Sequence, residues 1–369
     1  MGRKRNRSLE ALLDRIEDRL VDAPIGLHQV GGPAPAEAVA ALLASGEGMS
    51  EQAVALWRRW DGLDLGNGEA RILACAELEA AQARADGEGI LQAGDVVIGE
   101  IGRILLVVPA DPWEEGAEVV MVEDDGERSP YASSVAKLAL ALVAEMALLY
   151  DDEGEYREGL FEEHGALNQR SERRLLRRRL DFDEDAPFPR FRLGQLLRRA
   201  REFRAARSEL RRVLHCAPSF AWAHWELGRA CLAMVEAEDE AGCRDARERE
   251  GVRGEASEAF ATAAEHAGDP HLAALFLAWQ ARSCDPSVDA GKLGEQARVR
   301  LAAQVLERDP GFVAAREQGL REAIEHEDRH RAQELLELGL SVEPRHLGLL
   351  GLRSAVESLP WTFDEDDDA

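Results

Sequence analysis

The sequence predicts two modules in series: an α+β domain, then an all-helical repeat array. Three observations carry this reading. Leu193-Gly194 recurs as Leu227-Gly228 at a spacing of about 34 residues, with Ala206, Leu210 and Pro218 in between. Branched apolar runs at 95–99 and 104–108, joined by a short connection with two glycines, read as a β-hairpin. Charge is also segregated, because acidic residues dominate 22–165 whereas 170–212 is net positive.

Residues 1–30 hold a basic tag, Arg3-Lys4-Arg5-Asn6-Arg7, and a short helix. Leu9, Leu12, Leu13, Ile16 and Leu20 form one apolar helical face, and Ser8 is placed as its N-cap. After a loop rich in Gly and Pro at 26–35, the pattern over 36–65 is two helices. They end in Trp57-Arg58-Arg59-Trp60-Asp61-Gly62-Leu63, where Gly62 supplies a left-handed stop. A short strand and a helix start fall within 70–78, followed by an acidic, alanine-rich segment. The hairpin comes next, then a third strand at 118–123 that ends in Asp124-Asp125-Gly126. Tyr131-Ala132-Ser133-Ser134 caps a long apolar helix over 135–150. The order is helices, antiparallel meander, closing helix, which is an α+β pattern.

Over residues 31–150 this order resembles the SUKH superfamily, the fold of fungal cell-wall-assembly regulators and of many bacterial toxin-immunity proteins. Three features carry the likeness: Trp60-Asp61-Gly62, similar to the family's aromatic-x-Gly turn; the glycine-bearing strand pair at 95–108; and the Ser-initiated closing helix. The resemblance implies a noncatalytic domain that binds diverse protein partners, often toxins.

A charged junction spans 151–187, acidic at its start and strongly basic at 170–179. The basic stretch either docks on the acidic domain or stays a solvated helix. From 188 to 346 about four units resemble the tetratricopeptide repeat, in which a small residue on each helix permits close pairing and proline ends the pair. The second unit carries a charged insertion near 237–254, read as an exposed loop or a helix extension, and the third is degenerate. A capping helix at 347–359 and an acidic tail at 360–369 complete the chain. Counting from the repeat signature puts Phe188, Phe191, Gln195, Arg198 and Arg199 of the first unit in a concave groove. Trp222, Trp225 and Arg229 of the second join them. Aromatic and arginine side chains are the common anchors of interfaces, although Trp222 and Trp225 could equally pack between helices. Trp113, beside Pro112 and Glu114-Glu115, is a further candidate contact in the α+β domain, whereas Trp60, Asp61 and Gly62 are given a structural turn.

The chemistry-bearing strings favour no catalytic site. His326-Glu327-Asp328-Arg329-His330 fits H-E-x-x-H, the spacing with which a zinc enzyme presents two histidines on one helix. It falls where the fourth repeat should turn, so no metal is expected. Asp181, Asp183 and Asp185 alternate like the start of a calcium loop but lack its glycine and its closing glutamate. His215-Cys216 looks like a base with a nucleophile, yet neighbours on one helix point apart. No cofactor and no enzymatic activity are expected.

A formal net charge of -26 argues against nucleic acid as a partner and suits a basic protein. Five scattered cysteines without a C-x-x-C pair, and no apolar run of signal or membrane length, lead to the expectation of a soluble cytoplasmic protein. The function expected first is an immunity-type protein whose acidic domain covers a basic toxin or effector, with the repeats as a second binding module. The alternative is a repeat adaptor or scaffold for cellular proteins, and after it a zinc metalloenzyme through His326 and His330.

Overall fold

The computed structural model describes residues 9–45, 49–110, 117–123, 126–161, 167–240, 246–284, 313–342 and 346–360. The basic tag with Ser8, Trp113, the stretch 285–312 with most of the third repeat, and the acidic tail from 361 lie outside the described residues. The chain divides into two compact units. One comprises residues up to Leu196 together with Ala205–Phe220, and the other comprises Leu197–Arg204 and the residues from Ala221 on.

The first unit is built around a seven-stranded antiparallel meander in sequence order. Its strands are β1 (Gln29–Val30), β2 (Leu63–Leu65), β3 (Ala70–Ile72), β4 (Val96–Ile101), β5 (Ile104–Val108), β6 (Val119–Val122) and β7 (Arg128–Ala132). The hairpin β4–β5 and the third strand fall where the sequence puts them. Leu63–Leu65, expected at the end of a helix, is a strand, and β1 and β7 have no counterpart in the sequence reading. These strands are two, three and five residues long, and β7 holds Pro130, so their period-2 signal is weak.

The apolar runs are continuous because the sheet is buried on both faces. Along β5, Leu106 and Val108 point to one core while Leu105 and Val107 point to the other. Helix α4 (Cys75–Glu88) covers the second face through Ala81 and Ala85. The first face carries α5 (Val135–Leu149), which is apolar nearly all round and buries eleven of its side chains. A helix of that composition needs cover on several sides. The sheet supplies one side; α1 (Leu9–Val21) and α6 (Gln169–Phe182) pack along α5 and supply the others. The remaining helices of this part are α2 (Ala36–Leu43) and α3 (Ala55–Arg59).

The start of α5 is capped three times. Ser134 Oγ accepts from Lys137 N at 3.3 Å. Glu118 accepts from Val135 N at 2.8 Å, and Asp183, at the end of α6, accepts from Ser133 N at 2.8 Å and from Ser133 Oγ at 2.5 Å. The Asp181–Asp185 stretch therefore spends its middle carboxylate on a helix N-terminus, a favourable place for negative charge.

The basic stretch of the junction is docked on α5. Leu175 and Phe182 of α6 join the core of α5, and Arg179 Nε donates to Glu145 at 2.6 Å while its Nη1 donates to Tyr131 Oη at 2.7 Å. Both charges are largely buried, so removing one strands the other. Glu145→Ala is expected to cost about 3–5 kcal/mol of stability, read from urea unfolding, with Arg179→Met, which removes the stranded cation as well, recovering part of the loss in the double variant.

Burial pushes the Glu118 carboxyl above its ordinary pKa, and the hydrogen bonds from Val135 N and Ser50 oppose the rise. A raised carboxylate pKa means that the folded state holds the proton more tightly than the unfolded one. Stability from this group is therefore lost as pH rises above the unfolded value and through the folded one. Glu118→Gln keeps an acceptor for Val135 N and should flatten the pH dependence of the unfolding free energy above about pH 4.5. An unchanged slope in the variant would locate the pH dependence elsewhere.

Candidate functional site

The helical region begins with α7 (Pro187–Arg199) and α8 (Phe203–Cys216), followed by α9 (Ala221–Glu240), α10 (Ala246–Glu265) and α11 (Pro270–Cys284). After the undescribed stretch come α12 (Val313–Glu325), α13 (Arg329–Val342) and α14 (Leu347–Glu357). Helices α9 and α10 pack on each other, α11 packs on α10, and α14 packs on both α12 and α13. The described parts of the charged stretch 237–254 are helical, so it lengthens α9 and α10. Leu347–Glu357 falls where the capping helix is expected.

The repeat signature has a steric cause. A Cβ at Gly194 would lie 2.7 Å from Leu210 Cγ, and one at Gly228 would lie 2.6 Å from Phe260 Cε1. The large side chain of the second helix thus sits directly on the bare backbone of the first. Gly339 of α13 stands in the same relation to Leu349 of α14. Ala206, Ala256, Ala263 and Ala332 are fully buried and keep the second helices close. Gly228→Ala gains about 1 kcal/mol of helix propensity but incurs an overpacking cost of about 1–3 kcal/mol. Net destabilisation is expected in thermal unfolding, and Phe260→Leu, which opens space at that point, should recover part of it in the double variant.

The residues expected in the groove divide into two sets. Trp225 is fully buried, stacked on Phe276 at 4.8 Å between ring centroids and edge-on to Trp279 at 5.5 Å, with Phe260 at 5.3 Å. Trp222 is buried edge-on to Phe276 at 5.7 Å. These aromatics, expected as groove anchors, form the core between α9, α10 and α11. Phe191 is likewise buried against Phe220 at 5.0 Å, and half-buried Phe188 lies 5.6 Å from Tyr131. Apolar rings at helix-pair spacing find more area between helices than on an open face, and burial wins.

Two polar residues of the set, Arg198 and Arg229, form a charged cluster. Glu226, which the sequence reading did not single out, is fully buried and accepts from Arg198 Nε at 2.7 Å and from Arg229 Nη1 at 3.3 Å. Arg229 also lies over the Trp225 ring, 5.6 Å from its centroid. Its sequence signal is the i,i+3 spacing to Arg229, which places both on one helical face. Two guanidiniums thus share one buried carboxylate, and both arginines are themselves buried. Gln195, one turn before Arg198 on α7, is fully buried and accepts from Arg192 Nη1 at 2.5 Å. Arg199 is half-buried.

Trp60, Asp61 and Gly62 make the turn assigned to them. Gly62 has φ 90°, and a Cβ there would lie 2.9 Å from Ala74 N. Asp61 accepts from Cys75 N at 2.7 Å and so caps α4, while Trp57 Nε1 donates to Leu73 O at 2.8 Å.

His326 to His330 spans the turn between α12 and α13. Glu327 has φ 56°, so the two histidines do not share one continuous helix. Among the described residues no group of three or more His, Cys, Asp and Glu is arranged to hold a metal ion. Burial raises the Cys216 pKa, with Asp185 adding to the rise, and takes the Cys75 thiol to about 11, opposite to what an activated thiolate needs. Among the described residues no helix is long and apolar enough to cross a membrane.

No family model matches the chain, and no curated protein matches it. Among solved structures the chain is similar to YrrB, described as a TPR protein with an unusual peptide-binding site. The identity is 18%, covering 48% of this chain and 97% of that one, with a TM-score of 0.25. The tetratricopeptide-like character of the helical part follows from its own glycine-on-large-residue helix pairs.

Proposed function

We propose that this chain is a noncatalytic adaptor or scaffold whose helical array holds a segment of another protein. The observation that carries the reading is the Arg198–Glu226–Arg229 cluster, set on the first helices of two consecutive repeats and stiffened by a buried carboxylate. Side chains fixed in this way hold the two repeat helices in a preorganised register, so little entropy remains to be lost when a segment docks on the array. Arg199, half-buried on the same helix as Arg198, is the more accessible cation for a carboxylate-bearing segment.

A second reading keeps the sequence resemblance. An α+β domain of SUKH type would cover a basic toxin or effector in the cytoplasm, with the array as an accessory module. The net charge of -26 and the sheet with its buried closing helix favour this reading.

The two are separated by affinity purification of the tagged full-length chain from its native cells, beside Arg198→Gln. The adaptor reading expects several ordinary proteins, depleted at least tenfold by the variant while its circular dichroism is unchanged. Recovery of a single basic partner, equally from both chains and released by salt, would overturn it in favour of immunity.

A further inference from the structure

Apolar side chains left in water are unevenly placed on this protein. Among the described residues six large ones are exposed, and four of them, Val21, Ile25, Val30 and Tyr156, belong to two segments of the first unit. A single exposed apolar residue needs no explanation, whereas a gathering of them marks a contact surface. The two segments are neighbours. A Cβ at Gly154 would lie 3.7 Å from Pro24 Cβ. Both segments also hold the turn at Gly66, because Asn67 N donates to Leu27 O at 3.1 Å and Tyr150 Oη donates to Gly66 O at 3.1 Å.

The exposed groups are held on fixed backbone. Leu27 N donates to Pro24 O at 3.1 Å, and Gly26 takes φ 87°, so Ile25 occupies the outer corner of a tight turn. Leu27 anchors that turn in the core around α5, while Ile25 itself is fully exposed. The turn demands glycine at 26, but any polar residue would serve at 25. Tyr156 bridges to Tyr150 in a short hairpin and stacks on its ring at 4.6 Å between centroids. Val30 lies on β1, the edge strand of the sheet. Little side-chain or backbone freedom would be lost on binding here.

The charge beside these groups selects the occupant. Asp152, Glu153 and Glu155 of the hairpin are exposed, and no ion pair among the described residues takes up any of the three. Arg157, the cation of this hairpin, donates through Nε to Tyr150 O at 2.8 Å. A second copy docked on the same face would set these carboxylates against their own kind, and an anionic lipid surface would repel them. We propose that the Pro24–Gly26 turn and the Tyr150–Tyr156 hairpin form a docking surface for a basic protein, whose apolar pocket receives Ile25 while its lysines or arginines meet the hairpin carboxylates. The surface goes beyond the adaptor reading, which concerns the array, and gives the α+β domain of the second reading a definite place of contact.

The test is selection of random dodecapeptides on the full chain, followed by fluorescence anisotropy of the strongest binders. Peptides that combine lysine or arginine with a large apolar residue should be enriched, and their binding should weaken with added salt. Ile25→Asp is expected to weaken them about tenfold or more without moving the thermal midpoint, since its side chain is an exposed anchor. Glu153→Lys/Glu155→Lys should cost about threefold or more. Arg198→Gln should leave the same affinities unchanged. No enrichment of basic peptides, or equal affinities in wild type and Ile25→Asp, would overturn the proposal. Loss with Arg198→Gln alone would overturn it too, while leaving the adaptor reading in place. Sedimentation that shows a wild-type dimer dispersed by Ile25→Asp would assign the face to a second copy instead. Cosedimentation of the wild type, but not Ile25→Asp, with phosphatidylglycerol vesicles would assign it to lipid, and either result rules out the basic partner.

Discussion

The first unit depends on the burial of one helix. α5 exposes almost no polar surface along its length, and each large apolar side chain it buries contributes about 1.5–3 kcal/mol. Such a helix cannot lie on the surface of a sheet, because its far sides would then face water. The meander, α1 and α6 divide its surface between them, and α4 closes the opposite face of the sheet. What lies outside the classical α+β segment, α1 before it and α6 after it, is therefore part of the same core.

That requirement also explains where the polar groups near α5 go. Its N-terminus meets carboxylates from the residue before β6 and from the end of α6, and Glu145 meets Arg179 of α6. The basic helix is held by apolar side chains and one buried ion pair, so the gross charge asymmetry along the chain is not what positions it. Phe182, at the end of this helix, gathers Arg178 with Arg15 and Arg19 of α1 over its ring.

In the helical array the controlling constraint is close approach. Bare backbone at Gly194 and Gly228 lets Leu210 and Phe260 sit directly on the facing helix. The pairing drives the neighbouring aromatics inward, so Trp222 and Trp225 become structural and the charged cluster around Glu226 is what remains on their helix. A carboxylate so buried must be paired, and sharing it between Arg198 and Arg229 meets that demand.

The sequence alone determined the features that rest on local chemistry. These are the Leu-Gly period of the helix pairs, the turn at Trp60-Asp61-Gly62, the β4–β5 hairpin, the Ser134 cap and the turn inside His326–His330. Each is specified by residues close together in the chain, where backbone conformation and helix period act directly. Tertiary structure decided the rest. Short strands such as β1 and β2 gain their hydrogen bonds only from partners in the assembled sheet, so two or three residues carry no readable period. Whether an aromatic on a repeat helix faces a groove or a core depends on which helix packs beside it. The same holds for Glu226 and for the arginines around Phe182. Helical spacing places such groups on a face, and only the packing of distant elements decides what that face meets.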